Sequence, residues 1–319
     1  MLKNIKNKVL NGFEITKEEA LFLYSSNLED LTLSANSIRE QFCGNDFDMC
    51  TIINAKSGKC IENCKFCAQS SYYRTNCQIY PLLSEEKILH EARKRAEQKI
   101  KRFSLVTSGR KVSDNEIEKL CSILQKAKEE NIEISFCASL GLLDEKQYKK
   151  LYCAGLRRIH NNLETSENFF PQMCTTHTFQ DKVDSILLAQ KTGFEVCSGG
   201  IFGLGESIED RINLAFSLKA INVKSVPINI LTPITGTYYE NQTILLQEEI
   251  LRIVATFRFI LPFAFIRLAG GRSLLADKGY SCFTSGANAT ITSNMLTTSG
   301  ISIETDRSKI ENLGFDVKS

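Results

Sequence analysis

Short apolar runs alternate with amphipathic segments along most of this chain. The runs at 51–55, 101–107, 132–138, 156–163, 194–198, 225–230, 264–268 and 287–292 are short and apolar, as buried strands are. Between them, apolar residues recur at helical spacing. Ser84 caps a helix with Ile88, Leu89, Ala92 and Ala96 on one face. Ser113 and Glu116 form a capping box ahead of Ile117, Leu120, Cys121 and Leu124, and Asp144 opens the next helix. Helical spacing returns at Val183, Ile186 and Leu187, at Ile212, Ala215 and Phe216, and over 250–257. Residues 1–45 read as helical, with a Thr16/Glu19 capping box before Leu21, Phe22 and Leu23. Residues 43–50 read as a turn leading into the first strand. Strands alternating with helices predict a parallel sheet with right-handed crossovers. Eight such units in roughly 270 residues predict an α/β fold, a (β/α)8 TIM-type barrel, with its chemistry at the C-terminal ends of the strands. The expected organisation is an N-terminal helical extension over 1–45 and a barrel over 46–319, whose C-terminal segment closes the active site.

Directly after the first strand comes Lys59-Cys60-Ile61-Glu62-Asn63-Cys64-Lys65-Phe66-Cys67. Three thiolates on one short loop suit three corners of a 4Fe–4S cluster. The fourth iron is then open, as in a catalytic rather than a structural metal site. Zinc is the competing reading, but zinc sites usually show paired Cys-x2-Cys units or cysteines with histidine, and no histidine is near in sequence. A disulfide knuckle suits a small, loop-rich secreted chain, not 319 residues. Twelve cysteines therefore point to metal in a reducing compartment. A net charge of +2 gives no electrostatic case for nucleic acid or a membrane surface. No apolar run has transmembrane length, and no signal peptide follows Met1, so a cytoplasmic location is expected. Without further motifs, a non-enzymatic iron–sulfur or zinc redox sensor stays open beside an enzyme.

The triple-cysteine spacing resembles that of radical S-adenosylmethionine (SAM) enzymes. The resemblance implies that SAM binds the open iron and is cleaved by one electron to methionine and a 5′-deoxyadenosyl radical. Residues 197–206 follow the fifth strand; as Gly199-x-Ile201-x-Gly203-x-x-Glu206 they resemble the adenine-contacting segment of that superfamily. Thr107-Ser108-Gly109-Arg110 stands where the superfamily binds the methionine amino group. Within the superfamily, residues 54–70, 196–201, Pro227-Ile228-Asn229, 267–272, Gly286-Ala287-Asn288 and Leu296-Thr297-Thr298 resemble the biotin synthase family, from about residue 40 onward. That resemblance implies sulfur insertion into dethiobiotin. Unactivated C–H bonds yield to no acid–base group, so a cofactor must supply the radical. Another radical SAM enzyme acting on a small molecule is the alternative.

The family's auxiliary cluster, 2Fe–2S in its familiar form, uses three cysteines and an arginine. The resemblance assigns Cys137, Cys197 and Arg267 to it. The remaining family cysteine follows an Arg-Phe pair, and here Arg102-Phe103 is followed by Ser104. Cys50 stands on the first strand where a serine is expected, so Cys50 is the candidate replacement, and Cys43 a candidate further thiolate for a larger cluster. A barrel layer draws residues from alternate strands, and these four come from strands one, three, five and seven. For SAM, the resemblance implies contacts from Phe66, Ser108, Gly109, Asn162, Glu164, Lys182, Gly199, Ile201 and Gly203, and for dethiobiotin from Asn229 and Asn162. His160 replaces a usual asparagine, and His177 could approach SAM. An electron donor such as flavodoxin or ferredoxin and a homodimer are family expectations. Cys121 and Cys153, with Phe257, Phe259, Phe263 and Phe265, read as core, and His90 as solvated.

Overall fold

The computed structural model describes residues 1–294, 296 and 300–317; Thr297 and Thr298 lie outside the described residues. Ten strands form the sheet: β1 (Asp46–Lys56), β2 (Arg102–Thr107), β3 (Ser135–Ser139), β4 (Arg158–His160), β5 (Glu195–Cys197), β6 (Gly200–Phe202), β7 (Ser225–Ile230), β8 (Phe265–Leu268), β9 (Ala289–Ile291) and β10 (Asp316–Val317). Their order is β10-β1-β2-β3-β4-β5-β7-β8-β9, with β6 beside β7, and β9 pairs with β1 to close the barrel. Every named strand pair is parallel. The eight-unit barrel inferred from the pattern is thus observed, and the hydrogen-bond register is staggered. From Asp48 it runs through Ala289 and Arg267 to Pro227. One step down β7, Ser225 leads to Cys197 and His160. One step down β4, Arg158 leads through Cys137 and Ser104 to Ile52, above the starting Asp48. Such stagger tilts the strands and lets the cylinder close.

Strand side chains alternate between two surroundings. Phe103, Leu105, Ala138, Ile159, Val226, Ile228, Ile266 and Leu268 are buried beneath the helices. Each such large apolar residue removed from water contributes about 1.5–3 kcal/mol. The alternate positions, Cys50, Arg102, Ser104, Cys137, Arg158 and Arg267 among them, line the interior. The capping boxes at Thr16/Glu19 and Ser113/Glu116 are present, and Asp144 caps its helix with Gln147.

Several boundaries differ from expectation. β1 begins at Asp46 rather than 51, because Asp48, read as part of a turn, is neutralised by arginines inside the barrel. Gly200–Phe202, beyond the fifth predicted strand, forms a further strand; a Cβ on Gly199 would lie 2.0 Å from the Pro227 carbonyl oxygen, so only glycine admits this approach to β7. Phe257 and Phe259 are core, but Phe263 is 68% exposed and packs edge-on with Phe42, at 4.7 Å between ring centres. Cys121 is buried, whereas Cys153 at its helix end is exposed. His90 is exposed as expected.

Three helices, Leu2–Leu10, Lys17–Tyr24 and Leu28–Cys43, precede β1. The third packs on the Gln247–Ile260 helix. Between them lies Arg258, fully buried, donating to the carbonyls of Pro262, Ala264 and Gly286 and to Asn288 Oδ1 at 2.8–2.9 Å. Cys43 Sγ sits 3.3 Å from the same guanidinium. That is the end of the barrel where strands begin, outside the interior cavity, so Cys43 is not among the thiols brought together there.

At the other end of the chain, Arg272 and Asp306 form a two-pronged buried pair, at 3.0 and 3.1 Å. Thr290 Oγ1 accepts from Arg272 at 2.7 Å, and Tyr280 donates to Asp306 at 2.9 Å. The pair ties the Ile303–Asn312 helix to β9. Asp306→Ala strands a buried guanidinium and should cost about 3–5 kcal/mol in urea unfolding, whereas Arg272→Leu/Asp306→Leu together should recover most of that loss.

Candidate active site

The barrel encloses a cavity of about 330 Å³, within the range for a small-molecule site. Cys50, Cys137, Cys197 and Arg267, from β1, β3, β5 and β8, all line it. So does Ser104, which pairs in register with Ile52 on one side and Cys137 on the other. A thiol, that of Cys50, thus lines the cavity from β1, one strand away from Ser104 on β2. Phe66 and Cys67 of the triple-cysteine loop close over the same cavity, as do Leu296 and Ile291.

Charge is concentrated beneath the thiols. Asp48 Oδ2 lies 2.9 Å from Arg102 Nε, 3.0 Å from Arg267 Nη2 and 3.6 Å from Arg158 Nη1. Arg267 also donates to the carbonyls of Asp48 and Thr290 at 3.1 and 3.0 Å, and Arg158 pairs with Glu195 at 2.7 Å. Burial opposes ionisation of Asp48, but Arg267, Arg102 and Arg158 together hold its carboxyl below the usual range. Burial pushes the Cys50 thiol up to about 12 and Cys137 up to about 11. Cys197 goes the other way: burial is outweighed by a hydrogen bond and charge from His160, then by Arg267 and Arg158, and its thiol falls to about 6. His160, the departure from the family asparagine, thus acts on a candidate cluster ligand. Arg102, Arg158 and Arg267 outnumber the two carboxylates they meet, buried Asp48 and the more exposed Glu195, which leaves this part of the interior positively biased. Such a cavity fits an anionic occupant held by thiolates.

The triple-cysteine loop is closed by its own backbone. Cys60 N–H donates to the Gln69 carbonyl at 3.0 Å, Ser71 N–H to the Cys60 carbonyl at 2.8 Å, and Cys67 N–H to the Cys64 carbonyl at 3.0 Å. Ser108 Oγ donates to the Gly58 carbonyl at 2.7 Å, and Ser108 N–H to the Lys56 carbonyl at 2.9 Å. Three thiols on a rigid loop, beside a cavity with room for a small molecule, fit a cluster with one open iron.

The proposed SAM contacts divide in two. Phe66, Asn162, Glu164 and Ile201 line the cavity. Ser108, Gly109, Lys182, Gly199 and Gly203 do not; they stand behind it. Asn162 accepts from Gly199 N–H at 3.0 Å and donates to Glu164 at 3.2 Å. Burial raises the Glu164 carboxyl, and Lys182 opposes that shift. Lys182 itself donates to Asn161 Oδ1 at 3.1 Å. Asn229 lines the cavity, but its amide bridges Gly270 N–H and the Gly200 carbonyl, both at 3.0 Å. Its remaining lone pair and N–H are what a substrate could use.

Sequence reasoning missed Asp48, Arg102 and Arg158 as a group, because closure of the barrel, not spacing, unites them. It also missed a cluster against the metal loop. Cys174 Sγ lies 3.7 Å from Cys64 Sγ, and His177 Nδ1 lies 3.3 Å from Cys174 Sγ and 2.5 Å from Glu62 Oε2. His177, which could approach SAM, faces Glu62 and Cys174.

A model of the radical SAM superfamily matches residues 55–218, and one of the biotin and thiamin synthesis associated domain matches 227–316. The boundary falls between β6 and β7, so both regions contribute strands to one barrel. Among solved structures, methylornithine synthase (PylB) superposes with a TM-score of 0.81 at 20% identity, covering 99% of this chain and 97% of that one. HydG, a maturase of the FeFe-hydrogenase, gives 0.83 at 16% identity over 98% and 74%. At such identities the likeness is one of fold. Fold and site together define a radical SAM barrel enzyme. The biotin synthase of Brachyspira hyodysenteriae is 53% identical, covering 99% of this chain and 95% of that protein. Those of Clostridium botulinum and Akkermansia muciniphila are 52% and 48% identical, over 98% and 100% of this chain and 98% and 99% of theirs. The chain belongs to the biotin synthase family.

Because a Cβ at 199 would overlap the Pro227 backbone, Gly199→Ala must push β6 away from β7. The expected cost is about 1–3 kcal/mol of stability. Isothermal titration should also show weaker SAM binding, while the iron content of the Cys60–Cys67 loop stays unchanged.

Proposed function

We propose that this chain is a biotin synthase that inserts sulfur into dethiobiotin, with a 4Fe–4S cluster on Cys60, Cys64 and Cys67 and an auxiliary cluster on Cys50, Cys137, Cys197 and Arg267. The observation that carries the proposal is that those last four side chains, from four alternate strands, line one cavity capped by the Phe66–Cys67 loop. When bound, the clusters and SAM supply one-electron cleavage, a hydrogen-abstracting radical and sulfur. The protein's part is placement. Phe66, Asn162, Glu164 and Ile201 are positioned to hold SAM against the loop, with Lys182 and Gly199 bracing Asn161 and Asn162 behind them. Asn229, beside Gly270 and Gly271, is the candidate contact for the polar ureido end of the substrate. Arg102, Arg158 and Arg267 offset the anionic charge of thiolates, and Asp48 fixes their orientation.

Exchange of two C–H bonds for two C–S bonds requires two hydrogen abstractions per product. Ile52, Val106, Ile230, Leu231 and Leu296 give the cavity an apolar wall that suits an apolar carbon chain. We extend the proposal to a C-terminal segment that closes the active site, to a flavodoxin or ferredoxin as electron donor, and to a homodimer in the cytoplasm. Among the described residues no helix is long and apolar enough to cross a membrane.

The test is an anaerobic reaction of reconstituted protein with reductant, SAM and dethiobiotin, followed by mass spectrometry. Biotin with about two 5′-deoxyadenosines per product is the expected result, since each abstraction consumes one SAM. Deoxyadenosine without biotin would mean either that the sulfur-donating cluster is absent or that the substrate is a different molecule. For the auxiliary ligands, Cys50→Ser should lose the second cluster's iron and its absorption while Ser104→Ala keeps both. Intact iron content and spectrum in Cys50→Ser would remove Cys50 from the ligand set.

A further inference from the structure

We propose that Cys64, Cys174 and His177 form a mononuclear site for one borderline-soft divalent cation, Zn2+ or Fe2+, in the cluster-free chain. The site shares Cys64 with the 4Fe–4S loop, so ion and cluster exclude one another; this exclusivity rests on the reading of Cys64 as a cluster ligand. One donor atom from each of the three residues lies within 4.8 Å of the others. Cys174 and His177 are buried, and Cys64 is half-buried, which leaves a path for an ion. Two sulfurs and an imidazole nitrogen select zinc or ferrous iron over magnesium or calcium, which prefer oxygen.

The surroundings are those of a built site. His177 Nδ1 donates to Glu62 Oε2 at 2.5 Å, which leaves Nε2 as the free donor nitrogen. A carboxylate behind a histidine in this way fixes ring orientation and raises ligand basicity. Glu62 is 5% exposed and is itself held by Thr176 Oγ1 at 2.6 Å and Arg110 at 3.4 Å. The two segments are joined before any ion arrives. Lys65 N–H donates to the Met173 carbonyl at 3.0 Å, and Asn63 N–H to Thr176 Oγ1 at 3.1 Å. Asn63 Oδ1 in turn accepts from Thr175 N–H at 2.9 Å. Binding would release the two thiol protons to solvent and leave the metal's oxidation state unchanged.

Co2+ serves as the spectroscopic probe. The full-length chain, stripped of metal anaerobically, is titrated with Co2+ and followed by thiolate-to-cobalt charge-transfer and visible d–d bands. One equivalent with tetrahedral bands is expected, displaced by Zn2+. Cys174→Ala and His177→Ala should each weaken binding by more than 100-fold, and Glu62→Gln by about 10–100-fold. Cys60→Ala should bind as the parent does. Circular dichroism melts report whether each variant is folded. Unchanged binding in both Cys174→Ala and His177→Ala, or equal loss in Cys60→Ala, would overturn the site. Reconstitution of the 4Fe–4S cluster should expel the Co2+. Coexistence of the two would instead remove Cys64 from the cluster's ligands and leave the ion site standing.

Discussion

Asp48 is enclosed with three guanidiniums inside the barrel, and much of the molecule is arranged around that contact. Enclosing four charges is favourable only when each finds a partner in good geometry. Here one carboxylate from β1 reaches Arg102 on β2, Arg158 on β4 and Arg267 on β8, so the contact braces the barrel across its bore as well as along its wall. The same arrangement biases the cavity above it towards anions. Stability of the floor and the charge of the cavity thus draw on one set of side chains. Asp48 could not be exchanged for a neutral residue without changing both.

Much of this was legible from the order of residues, for physical reasons. Parallel strands buried on both faces give continuous apolar runs, and capped amphipathic helices give a second period, so the eightfold alternation was visible. The triple-cysteine loop was visible because its three thiols lie within eight residues, and local geometry suffices to bring them together. Cys137, Cys197 and Arg267 were placed by family resemblance, and Cys50 by noticing a cysteine on the strand beside Ser104. Closure of the barrel supplies what neither argument could, a common cavity.

What was not legible depends on contacts between distant segments. Cys174 is 110 positions from Cys64, and no periodicity links them. Asp48 looked like part of a turn because an isolated acidic residue ordinarily favours solvent. Cys43 looked like a further ligand because it is seven residues from Cys50, but a helix end and a strand start separate the two, and Arg258 claims its surroundings. Spacing along a chain predicts proximity only within one element. The packing of the glycine segment was hidden for a related reason: Gly199 and Gly200 permit the close approach of a strand to Pro227 and Glu164, which is a tertiary fact.

Closure of the barrel between β1 and β9 also sets an order of events in the life of the molecule. The first strand pairs Asp48 with Ala289 and Cys50 with Ile291, and Asp316 with Asp46 at its other edge. Ribosomal synthesis delivers the Cys60–Cys67 loop early, when the nascent chain holds little more than the first strand and its preceding helices. The interior compartment does not exist until nearly the whole polypeptide has emerged, because its wall lacks β8 and β9. Metal can therefore meet the exposed loop long before the enclosed thiols are gathered. The loop's cysteines are thus presented on an open segment, whereas the interior thiols come together only in a finished barrel.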